Sequence, residues 1–379
     1  MSKSMDMEAR VDRWFRACEE GGASDIHLAP GAPPYWRVQG NLEPMPGEAA
    51  LGPGETGAAA DELVRRMTGR VGDGWEAATR GRGALDGACS SKGGARYRFN
   101  AYRRRTEGAG GASELSVALR RLDDRFRSLA ELGLPGGLAD FCGAPHGLVI
   151  ITGPTGSGKS TTLATLIDAI NRTRAGHIIT IEDPVEYVHR PAKSLVDQRQ
   201  IGLDAPDFHT ALVDALREDP DVILVGEIRE TETIRTAITA AETGHLVFTT
   251  LHAGDCPGAV ERFVSVFPSG EQEAVRRQLA MVLRGIVAQR LFPRENGKGG
   301  RVPACEVLRG TAATANLIAA GKTVQLYTAM ETGSAAGMQT MDQDLERLVR
   351  TGAISAGTAL GAARYPEAFR RRRAARSEE

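Results

Sequence analysis

The stretch GLVIITGPTGSGKSTTLATLIDAIN, residues 147–171, decides the reading of this chain. Gly147–Thr152 has the length and apolar character of a buried strand. A glycine-rich loop follows, and then a helix expected from Lys159 to Asn171. Gly153-Pro154-Thr155-Gly156-Ser157-Gly158-Lys159-Ser160-Thr161 matches G-x-x-x-x-G-K-[ST] in full. It also has the strand–loop–helix context that gives the motif its meaning. Glycines let backbone N–H groups turn inward toward phosphate oxygens. Lys159 supplies an ammonium for the β- and γ-phosphates, and the Ser160 hydroxyl is a ligand for Mg²⁺. The N-terminus of the helix adds its partial positive charge. The pattern is that of a phosphate-binding P-loop.

Outward from the loop, strands and helices alternate. HIITI reads as the next strand, DFHTALVDALRE as a helix and DVILVG as a strand. ETETIRTAITAAETG is a helix and HLVFTTLHA a strand. Such alternation implies an α/β domain with a parallel sheet covered on both faces. From about residue 270 the pattern turns mostly helical, with helices expected over 270–291, 311–320 and 338–351. RRRRAARSEE reads as a charged, frayed tail.

Before residue 125 the signals differ. A helix over 8–20, a hairpin turning at Gly40-Asn41, and a loop over 46–60 precede a helix in ADELVRRMTGRV. Two strands flank Ser91–Gly94, and SELSVALRRL is another. We therefore expect a small α+β domain at 1–125, a linker at 126–146, the P-loop core at 147–270, and a helical part with the tail at 271–379.

Bulk composition narrows the class. A length of 379 residues suits two or three domains. With 41% hydrophobic and 25% charged residues, the chain reads as an ordinary soluble globular protein. A net charge of −1 and 5% aromatic residues give no case for a nucleic-acid partner. The five cysteines, Cys18, Cys89, Cys142, Cys256 and Cys305, form no C-x-x-C pair, so no zinc site is implied, and they suit a reducing cytoplasm. The N-terminus has no apolar signal core, and no stretch of about 18 apolar residues offers a membrane span.

In a parallel sheet the ligand lies beyond the C-terminal strand ends, so acids and histidines there are the candidates for chemistry. Glu227 ends the DVILVG strand and takes the Walker B position, reaching Mg²⁺ through water. ITIEDPVEYVH places Glu182, Asp183 and Glu186 beyond the second strand. Glu182 is the first choice to orient the attacking water, with Asp183 and Glu186 as helpers near the metal or in a turn around Pro184. His252 closes the HLVFTTLHA strand, where it could contact the γ-phosphate or sense its loss, and His245 opens it. A basic run in the first domain, Arg96, Arg98, Arg103, Arg104, Arg105, Arg120 and Arg121, reads either as a solvated face or as a source of arginine fingers. Arg217 and Arg229 are further interface candidates.

Taken together, these segments resemble the type II/type IV secretion ATPase family, most closely its PilT-like branch of type IV pilus retraction (twitching motility) ATPases. ASDIHLAPGAPPYWRVQG resembles the opening signature, and RYRFNAYRRR and ALRRL the arginine-bearing strands. GPTGSGKSTTLATLIDAIN resembles the Walker A region and ITIEDPVEYVH the Asp box. LREDPDVILVGEIRETETI resembles Walker B, AAETGHLVFTTLH the His box, and METGSAAGMQTMDQDLERLV the C-terminal segment.

The resemblance implies a PAS-like domain joined to a RecA-like domain that hydrolyses ATP with Mg²⁺ in homohexameric rings. It implies a cytoplasmic protein, peripheral at the inner membrane through a platform partner, with a paralogous pilus ATPase as a further partner. Glu182 takes the catalytic glutamate position and Glu227 the Walker B position. Arg98, Arg103 and Arg120 fall in the arginine-finger region, with TEGAGG blurring Arg103 against Arg105. His245 and His252 take the His-box positions.

Two departures matter. The four-cysteine zinc insertion of the assembly branch is absent, which favours retraction. The retraction motif is reduced to AATANLIAAGK, with Ala315 and Ala319 where arginines are expected. Rival readings are an assembly, secretion or accessory retraction motor, a low-turnover regulatory ring, and a RecA-like DNA motor.

Overall fold

A computed structural model describes residues 2–70, 74–79, 83–105, 113–122, 125–295 and 300–377. The chain divides into two units, Met1–Arg125 with Asp183–Val188, and Phe126–Glu182 with His189–Glu379.

The first unit holds α1 (Ser2–Glu20), α2 (Glu55–Thr68), α3 (Trp75–Thr79) and strands β1 (Asp25–Leu28), β2 (Tyr35–Val38), β3 (Asn41–Pro44), β4 (Ala84–Ser90), β5 (Arg96–Arg105) and β6 (Ser113–Arg121). These strands form a six-stranded antiparallel sheet in the order β3-β2-β1-β6-β5-β4. Alternation on β5 decides its two faces: Tyr97, Phe99 and Ala101 are buried, and Arg96, Arg98 and Asn100 point the other way. Tyr97 stacks on Phe15 of α1 at 4.1 Å between ring centres. α2 starts at Glu55, inside the stretch expected to be loop, because Ala58, Ala59 and Ala60 are strong helix formers.

The second unit carries β7 (Gly147–Thr152), β8 (His177–Glu182), β9 (Leu195–Gln200), β10 (Val222–Val225), β11 (Leu246–Leu251), β12 (Leu283–Pro293) and β13 (Arg301–Arg309). Its helices are α4 (Leu129–Leu132), α5 (Lys159–Thr173), α6 (Phe208–Ala215), α7 (Thr231–Glu242), α8 (Cys256–Ser265), α9 (Gln272–Val282), α10 (Ala312–Ala319), α11 (Leu326–Thr332), α12 (Met341–Arg350), α13 (Ala356–Ala362) and α14 (Pro366–Ser377). The seven-stranded sheet runs β13-β12-β7-β11-β10-β8-β9 and is parallel except for β13. Val149 and Ile151 of β7 pack with Leu163, Leu166 and Ile167 of α5 on one face. Leu148 and Ile150 face the α7 and α8 side. This is the expected α/β architecture: a RecA-like P-loop domain with a parallel sheet, preceded by an α+β domain and followed by helices.

Two local expectations change. Residues 126–146, expected as linker, carry α4 and a 3₁₀ segment, Gly136–Gly143, and Leu134 between them joins Leu138 and Phe141 of that segment in burial on the α5 face of the sheet. The helix expected over 270–291 ends at Val282, and Leu283–Pro293 continues as a strand beside β7. The apolar run LRGIVAQRLF fits either a buried helix or a strand buried on both faces. Gly285 settles it, because β12 passes so close to Phe141 that only glycine fits. An added Cβ would lie 2.4 Å from the Phe141 ring and 2.7 Å from the Leu308 carbonyl oxygen. Gly285→Ala should therefore destabilise the protein by about 1–3 kcal/mol, read as a lower urea midpoint. An unchanged midpoint would contradict this packing.

Candidate functional site

Thr152, fully buried at the end of β7, ties the P-loop strand to β11. Its hydroxyl donates to the carbonyls of Leu251 (3.2 Å) and Ala253 (3.1 Å) and accepts from Ala253 N–H at 2.8 Å. The chain then turns through Gly153, with φ 145°. A Cβ there would lie 2.3 Å from the Gln289 carbonyl oxygen of β12. α5 begins after Gly158, a residue at φ 89° with no side-chain cap for the first-turn N–H groups. Lys159 Nζ folds back over the loop and donates to the carbonyls of Gly153 (2.9 Å) and Pro154 (3.0 Å). Burial lowers its pKa, and the nearby Glu227 carboxylate opposes that shift. Ser157 Oγ is buried without a hydrogen-bond partner. Pro154, Thr155, Gly156 and Ser160 are exposed, and Thr161 is half-buried. Lined N–H groups, a cation and an unfilled hydroxyl at one strand end suit a polyphosphate.

The strand register gathers the rest. Thr152 pairs with Leu251, Thr249 with Val225, and Val225 with Ile181, so β7, β11, β10 and β8 end along one edge. At about 4.8 Å between strands, β10 lies roughly 10 Å and β8 roughly 14 Å from β7. Glu227, just past β10, accepts from Arg229 Nε at 3.0 Å and Nη2 at 2.8 Å, and lies 3.6 Å from His252 Nε2. Glu227, Arg229, Thr250, His252 and Arg262 line one small pocket. Burial lowers the His252 pKa, the Lys159 cation adds to that, and Glu227 opposes it. Neutral His252 therefore offers one donor and one acceptor at pH 7.

The described residues hold no cluster of three or more metal-binding side chains. Mg²⁺ at nucleotide sites takes one or two protein ligands, with phosphate and water completing the octahedron. The exposed Ser160 hydroxyl at the start of α5 and the Glu227 carboxylate fit that role.

Glu182 is the last residue of β8, and Asp183 and Glu186 follow it. Glu182 Oε1 accepts from Thr180 Oγ1 at 2.7 Å and from Gln198 Nε2 at 3.2 Å. Gln198 is on β9, the side of β8 away from β10 and the P-loop strand. One of these partners thus comes from Glu182's own strand and one from the neighbouring β9. Asp183 is exposed. Glu186 belongs to the first unit, where it lies 3.6 Å from Arg98.

His245 sits at the opposite end of β11 from His252, beside Gly147, whose N–H donates to its carbonyl at 3.0 Å. Its ring nitrogen Nδ1 is 3.0 Å from the Ala240 carbonyl. Six residues of strand, roughly 20 Å, separate it from the P-loop edge of its own chain, so it is not gathered into this site. Of the arginines, Arg103 pairs with Glu76 at 3.0 Å and Arg120 with Asp25 at 2.9 Å, both inside the first unit. Arg217 is exposed past α6, and TEGAGG, residues 106–111, lies outside the described residues. Gln289, Thr152 and Gln198 were missed by the sequence reading. Each is a polar residue in an apolar strand or beside the acid box, and only pairing geometry gives it a role.

His189, the last residue of the acid box, is 6% exposed and packs on Phe126 with ring centres 4.6 Å apart. Burial pushes its imidazole down to about 4. Between about pH 6.5 and 4 the unfolded chain binds this proton and the folded protein does not. Stability should therefore fall as pH drops through that window, by on the order of 3 kcal/mol. His189→Phe should flatten that part of the pH dependence in urea titrations, and an unchanged slope would contradict the burial argument.

The chain has relatives over most of its length. The family profile described as "Type II/IV secretion system protein" matches residues 112–350. The chain is 42% identical over 348 residues to the "Type IV pilus retractation ATPase PilT" of Pseudomonas aeruginosa, covering 92% of this chain and 96% of the relative. It is 48% identical over 278 residues to a twitching motility protein of Neisseria gonorrhoeae, covering 73% and 70%. The crystal structure of the pilus retraction motor PilT with bound ADP superposes with a TM-score of 0.83 at 40% identity, covering 95% of this chain and 99% of that one. With a family profile over residues 112–350 and relatives 42% and 48% identical over most of its length, the chain belongs to the type II/IV secretion ATPase family and is a PilT-like ATP hydrolase.

Proposed function

We propose that this ATPase is a homohexameric, Mg²⁺-dependent motor that drives type IV pilus retraction through an inner-membrane platform protein. The reading rests on the gathering of the P-loop, Glu227 and His252 at one sheet edge, together with the retraction and twitching-motility relatives. No described helix is long and apolar enough to cross a membrane, which suits a cytoplasmic ring held at the membrane by its partner. A paralogous pilus ATPase is a further candidate partner.

In this reading the loop N–H groups and Lys159 hold the β- and γ-phosphates of ATP. Ser160 and Glu227 hold Mg²⁺, which neutralises charge developing on the phosphoryl oxygens. His252, neutral and next to Glu227, is placed to register whether the γ-phosphate is present. Arg98, Arg103 and Arg120 are the candidate fingers, a role that needs a fully charged, forked side chain. The acidic segment beyond β8 orients the attacking water. Within it Glu182, the position that matches the family's catalytic glutamate, takes the role.

A second reading, an assembly, secretion or accessory retraction motor, is favoured by one observation. Ala315 and Ala319 stand half-buried on α10, where the retraction branch is expected to carry arginines. Hydrolysis is expected to survive that change, and the transmission of its work is what it would alter. A deletion strain that is hyperpiliated and does not twitch supports retraction. Loss of surface pili supports assembly.

Glu182→Gln should bind ATP and lose turnover by about 10²–10⁴-fold. Wild-type turnover in a phosphate-release assay would take the role away from Glu182.

A further inference from the structure

One polar side chain behind the P-loop has no part in the scheme above. Gln289 stands in the apolar run GIVAQRLF of β12 and is 3% exposed. Its neighbour Ala288 pairs with Thr152, which places Gln289 at the point where β7 gives way to the loop. Its amide makes two short contacts. Nε2 donates to the Ser157 carbonyl at 2.7 Å, and Oε1 accepts from Thr162 Oγ1 at 2.7 Å. A carbonyl can only accept, so this network fixes which end of the amide is nitrogen. A buried amide is costly unless it is hydrogen-bonded. An aliphatic residue would fill the same volume without that cost, so packing alone does not account for a glutamine here.

The peptide plane supplies a reason. In a trans peptide the C=O of one residue and the N–H of the next point in opposite directions. Holding the Ser157 carbonyl toward β12 therefore turns the Gly158 N–H away from β12, into the hollow of the loop. Gly158, at φ 89°, is the residue from which α5 starts. The second half of the amide reaches Thr162, whose N–H donates to the Gly158 carbonyl at 3.0 Å. One side chain thus holds both the last loop peptide and the first turn of α5.

We propose that Gln289 is a positioning residue for the nucleotide: it sets the direction of the Gly158 N–H toward the β-phosphate from outside the loop, without touching the ligand. The inference rests on the P-loop reading of Gly153–Thr161. Because the β-phosphate is present before and during phosphoryl transfer, the contribution is to binding in both states. Its loss raises KM and leaves kcat nearly unchanged.

The test uses the purified full-length chain and steady-state ATP turnover. Gln289→Glu keeps the shape and the acceptor for Thr162 but removes the donor and sets a carboxylate oxygen against the Ser157 carbonyl. Gln289→Leu removes both bonds. Each is expected to raise KM for ATP about tenfold or more, as loss of one charge-assisted hydrogen bond does, with kcat within threefold. Thr162→Val, which leaves the Nε2 bond in place, is expected to raise KM less, and its effect should not add to that of Gln289→Leu. A KM within twofold of wild type in a folded Gln289→Glu or Gln289→Leu protein overturns the proposal. So does a loss confined to kcat. If neither Gln289 variant folds, Thr162→Val decides: wild-type KM overturns the proposal and a raised KM supports it. Lys159→Ala separates this inference from the reading beneath it. Wild-type ATP binding in Lys159→Ala removes the P-loop assignment itself, whereas weakened binding there with wild-type KM in the Gln289 variants removes only the role of Gln289.

Discussion

The backbone of β12 occupies the space that a side chain on Gly153 would need. The Gln289 carbonyl oxygen lies 2.3 Å from that ideal Cβ position, a separation no pair of non-bonded atoms tolerates. This close approach lets β7 end and the loop begin within one residue. It sets the loop directly over the sheet edge where β10 delivers Glu227 and β11 delivers His252. The loop's geometry is therefore a property of three strands, β7, β11 and β12, and not of the glycine motif alone.

Charge at that edge is arranged around Glu227. Arg229 and His252 stand against its carboxylate, and that carboxylate opposes the burial that lowers the Lys159 pKa. A cation-rich edge with one central acid is poorly balanced by itself and well balanced by a polyphosphate with its divalent cation. Glu182, at the end of β8, accepts from Thr180 of its own strand and from Gln198 of β9.

Much of this was legible in the sequence. The full P-loop motif, the alternation of strands and helices, and Glu227 at a strand end each follow from local pattern, because a parallel sheet forces ligands to the C-terminal strand ends. What was not legible depended on pairing. LRGIVAQRLF has no period that separates a strand buried on two faces from a buried helix, so β12 was read as helix and Gln289 went unnoticed. Glu182 and Glu186 are acids of one segment, and only the structure shows that Glu182 is still part of β8 while Glu186 pairs with Arg98. His245 and His252 are both at the ends of β11, and strand polarity assigns just one of them to the P-loop edge.

The central claim is that the phosphates of a nucleotide are held by the backbone N–H groups of the loop that β12 frames. Amide hydrogen exchange with and without Mg²⁺–ADP tests it most directly. The account predicts slowed exchange confined mainly to residues 156–161 and the segment around Glu227 and His252, with little change near His245. Unchanged exchange across 156–161 at saturating nucleotide would contradict it.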